Sequence, residues 1–422
     1  MRYHKIRLLC VQIIIGISML LVTTVNAVEQ QELIVNPEIN SYWPAPPVRE
    51  TIGGKSIVTL KEALYKKSKK IWPDLSYTDT EVKAKALRGL LWMLNYMNTG
   101  DHLEGNENNY LTMLGTIYSS ARDPYLRRIA WEEARLVINR LIAADFFNDD
   151  DNDVDDLMEY LTLFNHLGIR HAATQDKTFR KLKQEKQNLI DEIKKLKSAS
   201  LGGDDLYDAM LSTYYITNLK KHFPRAAVLN GLPDLTDFFE ILSRYKYHLE
   251  DREKPDYAKL TDDDVSSIAD DLYNITHVIF VVSDYNFYRV PKRYFKREID
   301  YMLKYAGLIS SKYHNDPDLL TEVVYVLTML GYSKDHDVVK KGWVKMLDAQ
   351  REDGSWEAFG VDEEKSAEDN NYSTFHATWV AVDMIVEPAI LGEAPFYEPL
   401  KPALEKYAAG FNKKEKKSGK RN

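Results

Sequence analysis

Apolar residues recur three and four positions apart through most of the chain that follows residue 47. One such stripe runs over residues 82–94 and another over residues 323–330. This spacing is typical of amphipathic helices, and the alternation expected of strands is scarce. Glycines such as Gly168 and Gly331 end the stripes, as they commonly end helices. The pattern therefore predicts an all-α fold.

The pattern also repeats along the chain. Three landmarks recur in the same order roughly 160 residues later: residues 153–169 align on residues 316–332, Pro124 on Pro291, and Ser212 on Ser373. Because their order and spacing are kept, we predict two copies of one multi-helix unit. The first copy is expected in residues 50–225 and the second in residues 226–400.

Residues 1–27 have the pattern of a secretion signal: a positive start, a mostly apolar stretch and a cleavage site ending at Ala27. An uncleaved membrane anchor is the alternative, because the stretch approaches the length of a bilayer span. Either way, we expect the rest of the chain to be exported to the periplasm or the cell exterior. It would begin with an extended segment, 28–49, and end in a basic tail, 401–422.

Composition excludes several classes of protein. The 422 residues are 44% hydrophobic and 28% charged, with a mean hydropathy of −0.42, which excludes disordered, collagen-like and polytopic membrane proteins. The net charge of −8 argues against general nucleic-acid binding, which depends on neutralising phosphates. The single cysteine, Cys10, lies in the leader. The mature chain would therefore contain no disulfide and no thiolate metal ligand.

The two halves differ in their polar residues. The second half carries two histidines and a carboxylate that the first half lacks: His277 stands opposite Tyr110, His376 opposite Tyr215 and Asp284 opposite Ile117, whereas Glu322 matches Glu159. Since the stretch around His277 is otherwise apolar, this imidazole is expected to face the interior. The added residues mark the second half as the place for a site.

Two imidazoles and two carboxylates predict a divalent-metal site formed by His277, Asp284, Glu322 and His376. The alternative is a metal-free site in which a histidine or Tyr285 is the general base. His277 and Asp284 share a helix face, but their Cα atoms would lie about 10 Å apart in an unbroken helix. Shared coordination therefore requires the helix to end or bend between them. A histidine on an apolar face is also often a hydrogen-bonded core residue.

Residues 341–356 combine a predicted helix with Gln350, Gly354 and Trp356, and they resemble the QW motif of terpenoid cyclases. Lys345 replaces an aromatic residue that is usual in that family. In those proteins the glutamine and tryptophan join a helix end to its neighbour in an α/α toroid. The resemblance therefore implies an α/α toroid, a helical barrel, for this chain.

Two weaker resemblances concern chemistry. The segment from Tyr372 to Trp379 is similar to the helix that carries a zinc-ligand histidine in protein prenyltransferase β subunits. That family also needs an Asp-x-Cys pair, which the mature chain lacks, so protein prenylation is not expected. A second likeness is to the DxDD acid of class II terpene cyclases, carried by Asp153, Asp155 and Asp156. Helix capping explains this motif as well, because the second half repeats Asp-x-Asp before its own helix.

The sequence thus predicts an exported α/α toroid of two related halves. Its leading function is an enzyme that acts on a small organic molecule or a glycan, with or without one divalent metal ion. Three alternatives stay open: a metal-free polysaccharide lyase or hydrolase that also uses Tyr285 and Arg289, a terpene-cyclase-like enzyme, and a non-catalytic binding protein. No nucleic-acid partner and, once the leader is cleaved, no stable membrane span are expected.

Overall fold

The all-α prediction is confirmed: the chain is mostly helical, with only two-residue strands. The computed structural model describes residues 51–52, 55–56, 79–121, 123–144, 146–148, 152–198, 201–252, 256–285, 288, 290–311, 314–333, 335–356, 367–386 and 397–418. These residues all belong to one compact unit, Pro46–Asn422. The predicted leader and the segment 28–49 lie outside the described residues.

The helices and strands follow in this order: β1 (Thr51–Ile52), β2 (Lys55–Ser56), α1 (Asp79–Met97), α2 (Glu107–Ser120), α3 (Pro124–Ala143), α4 (Val154–Leu167), α5 (Ala172–Leu196), α6 (Gly203–His222), α7 (Leu235–Leu242), α8 (Asp262–Val282), α9 (Lys296–Tyr305), β3 (Ser310–Ser311), β4 (His314–Asn315), α10 (Pro317–Met329), α11 (Asp337–Asp348), α12 (Ala367–Ile385) and α13 (Lys401–Ser418). β1 pairs with β2 and β3 with β4, both antiparallel. Short 3-10 turns occupy some of the connections.

Aspartates begin the two helices that carry the repeated sequence. The side chain of Asp153 accepts a hydrogen bond from the backbone N–H of Asp156 at the start of α4. Asp316 does the same for Leu319 at the start of α10. Each bond satisfies one of the N–H groups that a helix start leaves unpaired. Helix capping is thus confirmed for Asp153 and Asp316, the first aspartate of each Asp-x-Asp sequence.

Contacts between helices follow a cyclic order. α2 contacts α4, α4 contacts α6, α6 contacts α8, α8 contacts α10, α10 contacts α12, and α12 contacts α2. Each even-numbered helix also contacts at least one further helix: α3 on α2, α5 on α4 and less extensively on α6, α7 on α6, α9 on α8, α11 on α10 and α1 on α12. The even-numbered helices therefore bury more than one face, and their interior residues are largely apolar.

The C-terminal segment was expected to be a tail, and the structure corrects this as far as Ser418. Residues 401–418 form α13, which packs against α7. Leu404 and Tyr407 are buried in that contact region. With Phe411, which packs on Tyr407, they form an apolar face at spacings of three and four on a helix that is otherwise rich in lysine. None of the helices in the described part of the chain is long and apolar enough to span a membrane.

Gln350 and Trp356 join the end of α11 to α1, the contact that the QW-like motif predicts. The side-chain amide of Gln350 donates to the carbonyl oxygens of Lys85 and Gly354, both at 2.9 Å. The indole N–H of Trp356, which is buried, donates to the carbonyl of Met346 at 2.8 Å. Gly354 has a φ of +102°, and a Cβ there would lie 2.7 Å from the carbonyl oxygen of Arg88. Only glycine fits this turn.

We predict that Gln350→Ala lowers the free energy of unfolding by about 1–3 kcal/mol, because it leaves two carbonyl groups without their donor. Chemical denaturation measures the change. Gln187→Ala is the matched control, since that side chain is exposed on α5 and bonds only to Asp191. Equal stability of the two variants would contradict a structural role for the motif.

Candidate functional site

Three titratable side chains meet where α10 faces α12. Asp318 and Glu322 are one helical turn apart on α10, so they share a face. The Nδ1 atom of His376 on α12 lies 2.7 Å from Oδ2 of Asp318. One nitrogen or oxygen of each of Asp318, Glu322 and His376 lies within 4.8 Å of the others. Imidazole and carboxylate groups at this separation are close to the arrangement that holds a divalent cation.

His277 joins this cluster from α8. Its Nδ1 atom lies 2.8 Å from the carbonyl oxygen of Tyr273 and 3.8 Å from Oε2 of Glu322. A carbonyl only accepts, so Nδ1 carries the proton and Nε2 carries the lone pair. Burial, with a smaller contribution from the nearby His376, lowers the pKa of His277 to about 4. His277 is therefore a neutral base at physiological pH.

The pKa values of Glu322 on α10 and His376 on α12 are shifted upwards, opposite to that of His277. Burial, and then the neighbouring carboxylate of Asp318, raises the pKa of Glu322 to about 8. The hydroxyl of Thr276 donates to Glu322 at 2.5 Å. Burial disfavours the charged form of His376, but the carboxylates of Asp318 and Glu322 outweigh it, so its pKa is raised. In the metal-free state His376 and Asp318 thus form a buried ion pair beside a protonated Glu322.

Asp318 has one oxygen for which the structure supplies no donor. Its Oδ2 accepts from Tyr273 at 3.1 Å and contacts His376, whereas its buried Oδ1 has no hydrogen-bond partner. The side chain is 13% exposed. A buried carboxylate oxygen without a partner is costly, and a cation is one of the few groups that compensate it. The donor set therefore fits a divalent metal ion.

Tyrosines form the walls around the cluster. Tyr372 stacks on His376, with ring centres 4.9 Å apart, and Tyr207 meets His277 edge to face at 5.2 Å. Burial, followed by Tyr207 and the carboxylates of Glu159 and Glu322, raises the pKa of Tyr285. Since 38% of Tyr372 is exposed, its ring borders open space. These rings offer flat apolar faces with hydroxyl groups at their edges.

The first half of the chain places a related cluster nearby. Asn108 donates to Glu159 at 3.0 Å, and Ser212 donates to Asp155 at 3.2 Å. Burial raises the pKa of Asp155 to about 6 and also raises that of Glu159. Both carboxylates line a cavity of about 350 Å³. No histidine lines this cavity, which agrees with the difference between the halves that the sequence indicates.

Asp284 belongs to a different polar cluster. Its Oδ1 accepts from Tyr214 and Asn218, both at 3.1 Å, and lies 2.9 Å from Nε2 of His166. Its Oδ2 pairs with the ammonium of Lys221. The carboxylate thus links the ends of α4 and α6 to the residues that follow α8. Both oxygens are engaged in these contacts, which do not include Glu322 or His376.

The turn that holds Asp284 also positions Tyr285. α8 ends at Val282, as shared coordination by His277 and Asp284 would have required. Asp284 and Tyr285 then adopt φ values of +52° and +50°. Left-handed backbone at residues other than glycine costs free energy, so the surrounding contacts must hold it. The turn directs Asp284 towards Lys221 and His166, while the ring of Tyr285 approaches Tyr214 and Phe280.

The structure thus brings together three of the four predicted metal ligands, His277, Glu322 and His376, and adds Asp318. The sequence contained a signal for Asp318, its position one turn before Glu322 and opposite Asp155. That signal was interpreted as part of a helix start, which is the role of Asp316. Arg289, named for the lyase alternative, lies outside the described residues.

Comparisons with known proteins give one partial match. The family described as a domain of unknown function, DUF6895, matches residues 259–385. This stretch runs from just before α8 to the end of α12 and includes every residue of the candidate site on the second half. No curated protein and no solved structure matches the chain.

We predict that Asp284→Ala lowers the free energy of unfolding by about 3–5 kcal/mol, because it removes the buried carboxylate that pairs with Lys221 and accepts from Tyr214 and Asn218. Denaturant titration measures the loss. Asp191→Ala is the control, since Asp191 is 60% exposed and pairs only at the surface. A loss no larger than that of the control would show that the buried network is dispensable.

We also predict a specific pH dependence of stability from Glu322, measured with a chelator present. Below about pH 4 the side chain is protonated in both the folded and the unfolded chain. Between there and its folded-state pKa of about 8, only the folded chain keeps the proton. Stability contributed by Glu322 is therefore lost as the pH rises, by at most about 1.4 kcal/mol per pH unit.

Thermal or denaturant unfolding of the wild type and of Glu322→Gln, followed between about pH 5 and about pH 8, tests this slope. The variant cannot ionise, so the loss of stability with rising pH should be smaller. Glu405→Gln, an exposed change on α13, should keep the wild-type slope. Parallel curves for all three proteins would contradict the prediction.

Proposed function

We propose that this protein is an exported enzyme whose site is the cluster of Asp318, Glu322, His376 and His277, with one bound divalent metal ion. Its substrate would be a small organic molecule or a glycan. The observation that carries the proposal is the convergence of two carboxylates and an imidazole from α10 and α12 in a largely buried position. The export is inferred from the leader pattern in residues 1–27.

We infer that the cyclic order of helix contacts is that of an α/α toroid of two related halves. Three features support this. α4 and α10, which carry the aligned sequences, stand three positions apart in the cycle, as do α6 and α12. Each of α1, α3, α5, α7, α9 and α11 makes its main contact with one member of the cycle, and α13 packs against α7. The contact of Gln350 with Lys85 is the one that the QW-like motif implies.

Asp318, Glu322 and His376 would hold the metal ion. A divalent ion bound by these groups would supply a positive charge that polarises a substrate oxygen or activates a water molecule. Its binding requires Glu322 to lose its proton and His376 to offer a lone pair, so affinity should rise with pH. Imidazole with two carboxylates suits Zn²⁺, Mn²⁺ or Fe²⁺ rather than Ca²⁺, which prefers oxygen ligands.

His277 is the residue that we propose as the general base. Its Nε2 atom carries a lone pair, and no hydrogen bond to that atom is made within the described part of the chain. The bond from Nδ1 to Tyr273 fixes the ring orientation and the tautomer. At neutral pH this imidazole is unprotonated, so Nε2 can accept a hydrogen bond and then a proton from a bound substrate or water; burial makes it a weaker base than an ordinary histidine.

The tyrosines support the choice of substrate class. Tyr207 and Tyr372 contact the two histidines of the cluster, and Tyr285 lies near Tyr207. Flat rings bind the apolar faces of sugars and of small organic molecules, and hydroxyl groups bind their polar edges. The carboxylates of Asp318 and Glu322 in the cluster disfavour a polyanion such as nucleic acid.

A metal-free polysaccharide lyase or hydrolase remains the second candidate, and one observation favours it. Tyr285 is held by a strained turn close to Glu159 and Glu322, a placement that would suit an acid–base tyrosine. In that case Glu322, protonated at neutral pH, would be the proton donor. The two candidates differ in whether activity requires a metal ion.

Elemental analysis of the purified protein tests the leading proposal. We expect about one divalent ion per chain in the wild type and none in the double variant Asp318→Asn, Glu322→Gln, because two of three ligands are weakened. The matched control is Asp155→Asn, Glu159→Gln, which makes the same change at the counterpart positions of the first half. This control should keep the metal.

Activity is then followed on a panel of glycans and small esters, before and after exhaustive chelation. We expect a loss of at least about a hundredfold on chelation and recovery on adding one metal. Metal absent from wild type and control alike, with chelation-resistant activity that Tyr285→Phe abolishes, would replace the proposal by the metal-free alternative.

A further inference from the structure

A second and larger cavity lies away from the cluster on α10 and α12. It has a volume of about 690 Å³ and is lined by residues 245–247 and 249–252, by one face of α9 with the two residues 293–294 before it, and by Ala408 and Phe411 of α13. A cavity of this size can hold a drug-sized molecule. None of the residues that form the candidate metal site lines it. Any ligand of this cavity is therefore independent of the proposed function.

The lining is rich in positive charge, although the chain as a whole carries −8. Six basic side chains line the cavity: Lys246, Arg252, Arg293, Lys296, Arg297 and Lys304. The acidic lining residues are Glu250, Asp251 and Asp300. By contrast, the cavity beside Asp155 is lined by acidic residues and by no lysine or arginine. The two cavities thus differ in the sign of the charge that lines them.

Part of this charge is already compensated, and part is not. Arg297 forms a two-pronged bond to Glu250, at 2.6 and 2.7 Å, and Lys296 pairs with Asp300 at 3.3 Å. Within the described part of the chain, Lys246, Arg252 and Arg293 form no ion pair. Arg293 donates one hydrogen bond to the hydroxyl of Tyr294 at 2.7 Å, but in the described structure no carboxylate pairs with any of these three basic groups, and Asp251 is the one lining carboxylate outside the two ion pairs.

The side chain of Arg297 lines the cavity and is held in place by its neighbours. Its guanidinium lies between the rings of Tyr247, at 4.1 Å, and Phe411, at 4.6 Å. Its side chain is 7% exposed, and one of its nitrogens, Nη1, has no hydrogen-bond partner. A planar guanidinium fixed in this way loses little entropy when it binds an anion.

We propose that this cavity binds a small organic anion whose carboxylate or phosphate is attached to a ring. Arg252 and Arg293 at the rim, together with Lys246, receive the charged group. The rings of Tyr245, Tyr247 and Tyr301, which also line the cavity, receive the body of the ligand. The combination of flat apolar walls and basic groups selects a ring-bearing anion over a neutral sugar or a simple salt.

Calorimetric titration of the purified protein with three probes tests this site: glucose 6-phosphate, glucuronate and glucose. They share a ring and differ in the charged group. We expect at least one of the two anions to bind at least about tenfold more tightly than glucose. Which anion binds more tightly decides between phosphate and carboxylate. Binding should weaken as salt concentration rises.

The double variant Arg252→Gln, Arg293→Gln should weaken binding of that anion by at least about tenfold. Arg170→Gln, Arg180→Gln is the matched control, because it removes the same charge from exposed positions that do not line the cavity. All four arginines are exposed, so folding should be unaffected, as thermal unfolding can verify.

Three results would overturn the proposal. One is no binding of either anion up to about 10 mM. The second is equal binding of glucose and the anions. The third is equal weakening in the cavity variant and in the control, which would reduce the effect to the overall charge of the chain. Metal content and any activity at Glu322 play no part in these outcomes.

Discussion

The candidate site in the second half of the chain depends on one constraint: two carboxylates are buried one turn apart on the same helix. Asp318 and Glu322 cannot both be ionised at low cost in an apolar interior, because like charges repel and both lose water. The chain compensates with the imidazole of His376, the hydroxyl of Thr276 and a proton on Glu322. A cation would compensate them more fully. Apolar residues at these positions would avoid the free-energy cost of burying charge altogether. We therefore infer that Asp318 and Glu322 are present for a functional reason.

Much of the helical structure could be predicted from the sequence, because it depends on local features. Apolar spacing indicates the helices, and the caps of α4 and α10 follow from aspartates at their starts. The contact of Gln350 with α1 could be predicted from the motif that carries it. The extent of α13 could not, because its helix is basic and docks through few apolar residues such as Leu404 and Tyr407.

The candidate site could be predicted in part, and its error has a physical origin. Comparison of the halves singled out His277, His376 and Asp284, and Glu322 was added as a further carboxylate. His277, Glu322 and His376 lie on three neighbouring helices of the contact cycle. Asp284 follows the end of its helix, and two left-handed residues turn it towards Lys221 and His166. Sequence spacing carries no information on such a turn. Asp318 was missed because an aspartate near a helix start has a sufficient local explanation.

The bonds from Gln350 to the segment around Lys85 connect residues 265 positions apart. A contact of this span forms late in folding, since the chain must be ordered almost from end to end before the two partners meet. Until then, α1 and α12 expose the apolar faces that they later bury against each other. Nascent chains that still lack the last helices would therefore be prone to associate through these faces. Once Gln350 bonds to the segment around Lys85, the two faces are covered and this route to aggregation is closed.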